Sequence, residues 1–235
     1  MLATFFGVLA AGLGCGPAWR WLALAAVPAS AELALLAGGL RDNRSPGGPL
    51  RRQLGAANWV TLVRGWLLAV VAGFVAMPWS VVHDRAFFSW LPGALYGCAC
   101  LLDHADGRLA RKRRAVTDLG VRLDREFDAL GLLVASLLVV FWEKAPWWYG
   151  CVGIAYYLFV AGRRLREHLR LPVQPLPASR LRRVLAGAAM AVTTVLLLPV
   201  SAGLPTGPAA ALFTCLFVGN FLVDWLALVR PSAGA

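Results

Sequence analysis

The stretch DHADGRLARKRRAVTDLGVRLDREFD, residues 103–128, interrupts an otherwise apolar chain with carboxylates and basic side chains. Apolar sequence stops at Leu102 and resumes at Ala129, so Asp103 to Asp128 is expected at the rim of a membrane. At about 100° per residue, Asp103, Asp106, Gly107, Ala110 and Arg111 fall within about 140° of one helical face, and Thr117, Gly120, Asp124 and Asp128 within about 80° of another. Two antiparallel helices joined by a turn near Arg113 to Ala115 would bring four carboxylates to one interface. Such a cluster repels itself strongly near lipid, and a divalent cation between the carboxylates would stabilise it. The donors are all oxygens, with neither Cys nor His completing a zinc set, which favours Mg²⁺ or Mn²⁺. His104, about 100° around the helix from Asp103, points away from the carboxylate face. Gly107 and Gly120 would let a phosphate or nucleotide approach the backbone. Arg111 supplies a planar, always charged fork suited to phosphate.

The rest of the chain explains the setting. Of its 235 residues, 59% are apolar and 15% charged, against about half and about a quarter in a soluble domain. Continuous apolar runs at roughly 2–16, 20–40, 59–78, 86–112, 117–142, 147–162, 184–203 and 208–229 predict an all-α integral membrane protein of about eight transmembrane helices. A barrel would need alternating apolar and polar residues. The net charge of +11 does not mark a nucleic-acid partner, because it follows the membrane pattern. Of the 23 Lys and Arg, all but Arg20, Arg85 and Lys144 lie in 41–64, 108–125 and 163–183 or at Arg230. The positive-inside rule then puts both termini and residues 103–128 on the cytoplasmic side. Trp19, Trp21, Trp79, Trp90, Trp142, Trp147 and Trp148 fall near the opposite helix ends, where indoles favour the headgroup level.

Residues 1–40 are expected to form a helical hairpin that supports packing or partner contact, with its loop near Pro17 to Arg20. The N-terminus has no Lys or Arg before its apolar run, so a cleaved signal is not expected. Residues 41–57 read as a cytoplasmic linker and 58–235 as a six-helix membrane domain, with a second cytoplasmic loop at 163–183. Pro92 is expected to kink the fourth run. The five cysteines show no C-x-x-C pair and are read as small buried hydrophobes. Glu32 and Asp224, carboxylates in apolar surroundings, are expected to be satisfied by a neighbouring Arg or backbone group.

The spacing D-x2-D-G-x2-A-R-x8-G-x3-D-x3-D, carried by Asp103, Asp106, Gly107, Ala110, Arg111, Gly120, Asp124 and Asp128, resembles the signature of the CDP-alcohol phosphotransferases. Asn58, Thr61 and Arg64 resemble that family's opening Asn-x-x-Thr-x-x-Arg segment, although Ala57 stands where many members have proline. The resemblance implies the six-helix core and transfer of a substituted phosphoryl group from a CDP-linked donor, such as CDP-diacylglycerol, to an alcohol acceptor with release of CMP. It implies that Asp103, Asp106 and Asp124 bind two Mg²⁺ or Mn²⁺ ions, and that Asp128 joins the metal site while serving as general base. Gly107, Ala110, Arg111, Thr117 and Gly120 would hold the CDP moiety. It also implies membrane lipid partners and a homodimer.

The acceptor stays open among serine, inositol phosphate, glycerol phosphate and a diradylglycerol. Arg163, Arg164 and Arg166 lie where the sixth run meets the cytoplasm and form a candidate pocket for a phosphorylated acceptor. They also satisfy the positive-inside rule. Intramembrane carboxylates can also mark an ion or proton path, so a coupled transporter is the alternative reading.

Overall fold

The computed structural model describes residues 1–45, 48–112, 117–176 and 178–230, with residues 105–112 described by their backbone alone. Among them are the helices α1 (Leu2–Leu13), α2 (Cys15–Gly39), α3 (Ala56–Gly73), α4 (Trp79–His83), α5 (Ala86–Lys112), α6 (Asp118–Phe141), α7 (Gly150–His168), α8 (Arg180–Leu197) and α9 (Thr206–Val229). Four helical stretches, Cys15–Asp42, Ala56–Ala76, Ala86–His104 and Thr206–Val229, are long and apolar enough to cross a membrane.

α3 is the hub of the bundle and packs on α2, α5 and α6, while α6 also packs on α7 and α8, α5 on α8, and α7 on α9. Among the described residues the direct interface between α5 and α6 is slight: α5 leans mainly on α3, and α6 on α3 and α7. The core therefore runs along α3 and α6 through Leu68, Val71, Phe127, Ala135 and Leu138. The outer faces stay apolar, with Leu101, Leu158, Leu212 and Val223 exposed. Buried and outer side chains are alike because lipid is as apolar as a protein core, so helix association leans on close packing and a few interhelical hydrogen bonds. One such bond joins Tyr149 Oη to Thr193 Oγ1 at 2.9 Å. Bonds of this kind average about 0.6 kcal/mol in a membrane.

Several boundaries depart from expectation. The first break is Gly14 alone, at φ 92, a left-handed conformation that side chains resist. The residues Pro17 to Arg20, expected as a loop, belong to α2. Pro17 is tolerated there because first-turn amides need no intrahelical acceptor. Residues 163–168, expected in a loop, are the last turns of α7. Arg, Leu and Glu are good helix formers, and Arg163 Nε meets Glu167 Oε1 at 2.8 Å, one turn apart. α8 starts at Arg180 because Ser179 caps it, its hydroxyl accepting from Arg182 N at 3.3 Å. Pro92 lies inside α5 and Pro28 inside α2. The turn expected near Arg113 to Ala115 lies outside the described residues.

Trp21 and Trp142 are buried within the bundle. Their indoles donate to Val70 O at 3.1 Å and Met77 O at 2.9 Å. The cysteines also depart from expectation: Cys15, Cys98, Cys151 and Cys215 are exposed on the outer surface and Cys100 is half-buried. Their helices are apolar on the outside as well as the inside, so an apolar neighbourhood did not distinguish the two.

Candidate functional site

A lone arginine in an apolar run of α3 organises the polar end of the bundle. Arg64 is 2% exposed and its guanidinium reaches three aspartates on two helices. Nη1 pairs with Asp103 Oδ1 of α5. Nη2 lies 2.9 Å from Asp124 Oδ1 and 3.2 Å from Asp128 Oδ1 of α6. It also donates to the backbone carbonyl of Asp124 at 3.1 Å. A buried guanidinium without partners would cost several kcal/mol, and three converging carboxylates would repel one another without a cation. Each requirement meets the other.

Three of the four carboxylates expected to converge do so. One oxygen from each of Asp103, Asp124 and Asp128 lies within 4.8 Å of the other two, and all three side chains are partly accessible. The four-residue spacing of Asp124 and Asp128 puts both on one face of α6, one turn apart. An all-oxygen set with this spread fits a hard divalent cation. His104 is outside the group: its side chain is 67% exposed, and Nδ1 lies 3.3 Å from Cys100 O in the preceding turn. Asp106, Gly107, Ala110 and Arg111 continue α5 beyond Asp103. Their side chains lie outside the described residues.

A second polar network fixes where α6 begins. Thr117 is its N-cap, with Oγ1 accepting from Gly120 N at 3.1 Å. The same oxygen accepts from Asn58 Nδ2 at 3.3 Å. Asn58 Nδ2 also lies 3.4 Å from Asn43 Oδ1, and Asn43 Nδ2 donates to Arg51 O and Gln53 O, each at 3.0 Å. Asp118 N donates to Arg44 O at 3.0 Å, tying the linker to the first turn of α6. Gly120 has a packing reason of its own, since a Cβ there would sit 2.6 Å from Asn58 Oδ1. Thr117, expected to contact nucleotide, is buried and its hydroxyl is engaged within this network. Asn43 carried no signal beyond its place in a polar linker. Arg64 did: an arginine among apolar residues is costly unless partnered.

The other expected residues divide. Asp224 is satisfied as anticipated, with Arg182 Nε at 2.8 Å and Nη2 at 3.0 Å. Glu32 rests against Gly65, the residue after Arg64, and its Oε1 has no hydrogen-bond partner among the described residues. Arg163 bonds Glu167 on its own helix and Arg166 Nη2 donates to Pro172 O at 3.0 Å. Among the described residues, neither these two nor Arg164 makes a polar contact with the three aspartates.

A protein-family model described as CDP-alcohol phosphatidyltransferase matches residues 54–227. The match takes in α3 to α8 and most of α9, and leaves α1 and α2 outside. No curated protein matches the chain.

Proposed function

The chain belongs to the CDP-alcohol phosphatidyltransferase family, and from that premise we propose that it moves a substituted phosphoryl group from CDP-diacylglycerol to an alcohol, releasing CMP, in phospholipid synthesis. The observation that carries the reading is the convergence of Asp103, Asp124 and Asp128, with one oxygen of each within 4.8 Å of the others. With Asp106 they form the proposed ligand set for two Mg²⁺ or Mn²⁺ ions. Bound there, divalent metal neutralises the donor pyrophosphate and steadies the departing CMP.

The remaining roles belong to the chain. Asp128 accepts the proton of the acceptor hydroxyl as that oxygen bonds to the donor phosphorus on the side away from cytidine. The phosphorus–oxygen bond to CMP breaks, and its electron pair leaves on CMP. Gly107, Ala110 and Arg111 hold the cytidine diphosphate along the last turns of α5. Thr117 and Gly120 contribute by seating the first turn of α6 against α3. Before metal enters, Arg64 holds the carboxylates in place through contacts at 2.9 Å and 3.2 Å to Asp124 and Asp128.

In this reading the site opens to the cytoplasm, where the basic connections and both termini lie, residues 58–235 form the catalytic membrane domain, and the working unit is a homodimer. The arginines at 163, 164 and 166 serve an acceptor that carries its own phosphate.

The test is CMP release by purified protein with CDP-diacylglycerol and, in separate arms, inositol phosphate, glycerol phosphate and serine. Arms with CDP-choline or CDP-ethanolamine and diacylglycerol distinguish the donor. Release that requires Mg²⁺ or Mn²⁺ and vanishes in Asp128→Asn is the expected result. No release in any arm, together with proton-coupled flux in liposomes, would favour the transporter.

A further inference from the structure

Glu32 is the one acidic residue of α2 and lies outside the family-matched segment 54–227. It is 3% exposed. Its carboxylate rests on α3 at the residue after Arg64: a Cβ at Gly65 would lie 2.7 Å from Glu32 Oε2 and 2.8 Å from Glu32 Cδ. Phe127 Cε2 of α6 lies 2.7 Å from the same point. Only glycine at 65 lets the carboxylate come this near the arginine's backbone. No hydrogen bond reaches Oε1 among the described residues, and leaving such a buried acceptor unsatisfied costs on the order of 1–3 kcal/mol. A packing role would be met by Leu or Gln at lower cost.

The cost is intelligible from the other side of Arg64. The Oδ1 atoms of Asp103, Asp124 and Asp128 that hold the guanidinium belong to the carboxylates that cluster for metal. A divalent ion and Arg64 therefore compete for one set of oxygens and repel each other. Metal entry is easier if Arg64 has another carboxyl group to turn to, and Glu32 is the buried carboxyl group resting on α3 at the next residue, with Oε1 unbonded among the described residues. We propose that Glu32 is a positioning residue, contributed by the N-terminal helices, that takes up Arg64 when divalent metal engages Asp103, Asp124 and Asp128. This rests on the metal-dependent reading above and extends the site beyond the family-matched segment.

The experiment is Mn²⁺ titration of the full chain in detergent, read by the electron paramagnetic resonance of free Mn²⁺, for wild type, Glu32→Gln, Glu32→Asp, Arg64→Gln and the Glu32→Gln/Arg64→Gln pair. Loss of an outer partner typically costs 10–100-fold in metal affinity, so Glu32→Gln is expected to raise the Mn²⁺ Kd by about tenfold. Glu32→Asp, which keeps the carboxyl group, is expected to recover part of that loss. In the Arg64→Gln background the same Glu32→Gln change should move Kd by less than about twofold, because the competitor is gone. An unchanged Kd in Glu32→Gln, an equal loss in both backgrounds, a Glu32→Asp protein as weak as Glu32→Gln, or a Glu32→Gln protein that does not fold would each overturn the proposal. A wild-type chain that binds no Mn²⁺ would instead overturn the metal site itself, and this inference with it.

Discussion

Arg64 holds Asp124 twice, donating through Nη2 to the side-chain Oδ1 at 2.9 Å and to the backbone carbonyl at 3.1 Å. The second contact ties the arginine to the backbone of α6 as well as to a side chain that could swing away. It therefore sets the height and rotation of α6 against α3, and with them the positions of Asp124 and Asp128.

Arg64→Lys should therefore fail despite keeping the charge. An ammonium is a point donor on a flexible stem and cannot span Asp103 and both acceptors of Asp124 together. The expected outcome is CMP release lowered by about 100-fold, since small misplacements of reacting groups cost that much. A Lys variant within about threefold of wild type would show that charge alone suffices at this position.

The aspartates should separate by role. Asp128→Asn is expected to lower turnover by about 10²–10⁴-fold, the usual worth of general-base catalysis, while Mn²⁺-dependent CDP binding is largely kept. Asp103→Asn and Asp106→Asn should weaken CDP binding itself. Isothermal titration with CDP and Mn²⁺ beside a CMP-release assay checks both, and normal CDP binding in both of the latter variants would contradict the ligand assignment on α5.

Gly120→Ala puts a methyl 2.6 Å from Asn58 Oδ1, with Thr117 Oγ1 at 3.1 Å. Asn58 is buried and bonded to Thr117 and Asn43, so it has little room to retreat. Overpacking of this kind costs about 1–3 kcal/mol. A lower melting temperature in detergent is expected, with loss of activity as α6 shifts. Normal stability with impaired CDP binding would instead favour a nucleotide role for the glycine.

How far the sequence could be read depended on whether neighbours in sequence were also neighbours in space. The carboxylate faces of 103–128 follow from helical periodicity, and α5 runs from Ala86 to Lys112 as its apolar and polar pattern suggests. Asp103, Asp124 and Asp128 do meet. That they meet around an arginine of α3 depends on contacts 39, 60 and 64 residues distant, which no local period encodes. Hydropathy also failed to say which apolar side chains face protein. In a membrane both environments reward the same residues, so Trp21 and Trp142 could not be told from Trp19 and Trp147. The same limit hid Glu32, whose meaning comes only from the glycine and arginine beneath it.

Replacing Arg163 and Arg164 with Gln tests the proposed acceptor pocket. If these side chains serve a phosphorylated acceptor, its KM should rise about tenfold or more while donor affinity changes little. Arg163 is bonded to Glu167 at 2.8 Å, so the pocket requires that this exposed pair open, which exposed pairs do at a cost of about 0–1 kcal/mol. Equal losses for donor and acceptor, or a preference for serine, would reject a phosphorylated acceptor without touching the transfer chemistry.

Lys144 makes the stability of the end of the bundle opposite the aspartates depend on pH. It is 9% exposed, donates to Leu197 O at 2.9 Å and Leu198 O at 3.2 Å, and lies 4.1 Å from the Trp79 ring centroid. Burial lowers its pKa from the ordinary 10.5 to about 8, so the desolvation of the ammonium outweighs these contacts. Below pH about 8 the lysine is charged both folded and unfolded, and the folded state bears the full penalty. Between about 8 and 10.5 the folded chain releases the proton while the unfolded chain keeps it, so stability rises with pH. The neutral amine still donates to both carbonyls. Melting temperatures of wild type in detergent should therefore climb relative to Lys144→Met as pH goes from 7.5 to about 9.5, a window below the titration of ordinary tyrosines. Parallel curves for the two proteins would show that Lys144 stays charged in place, held by Trp79 and the end of α8.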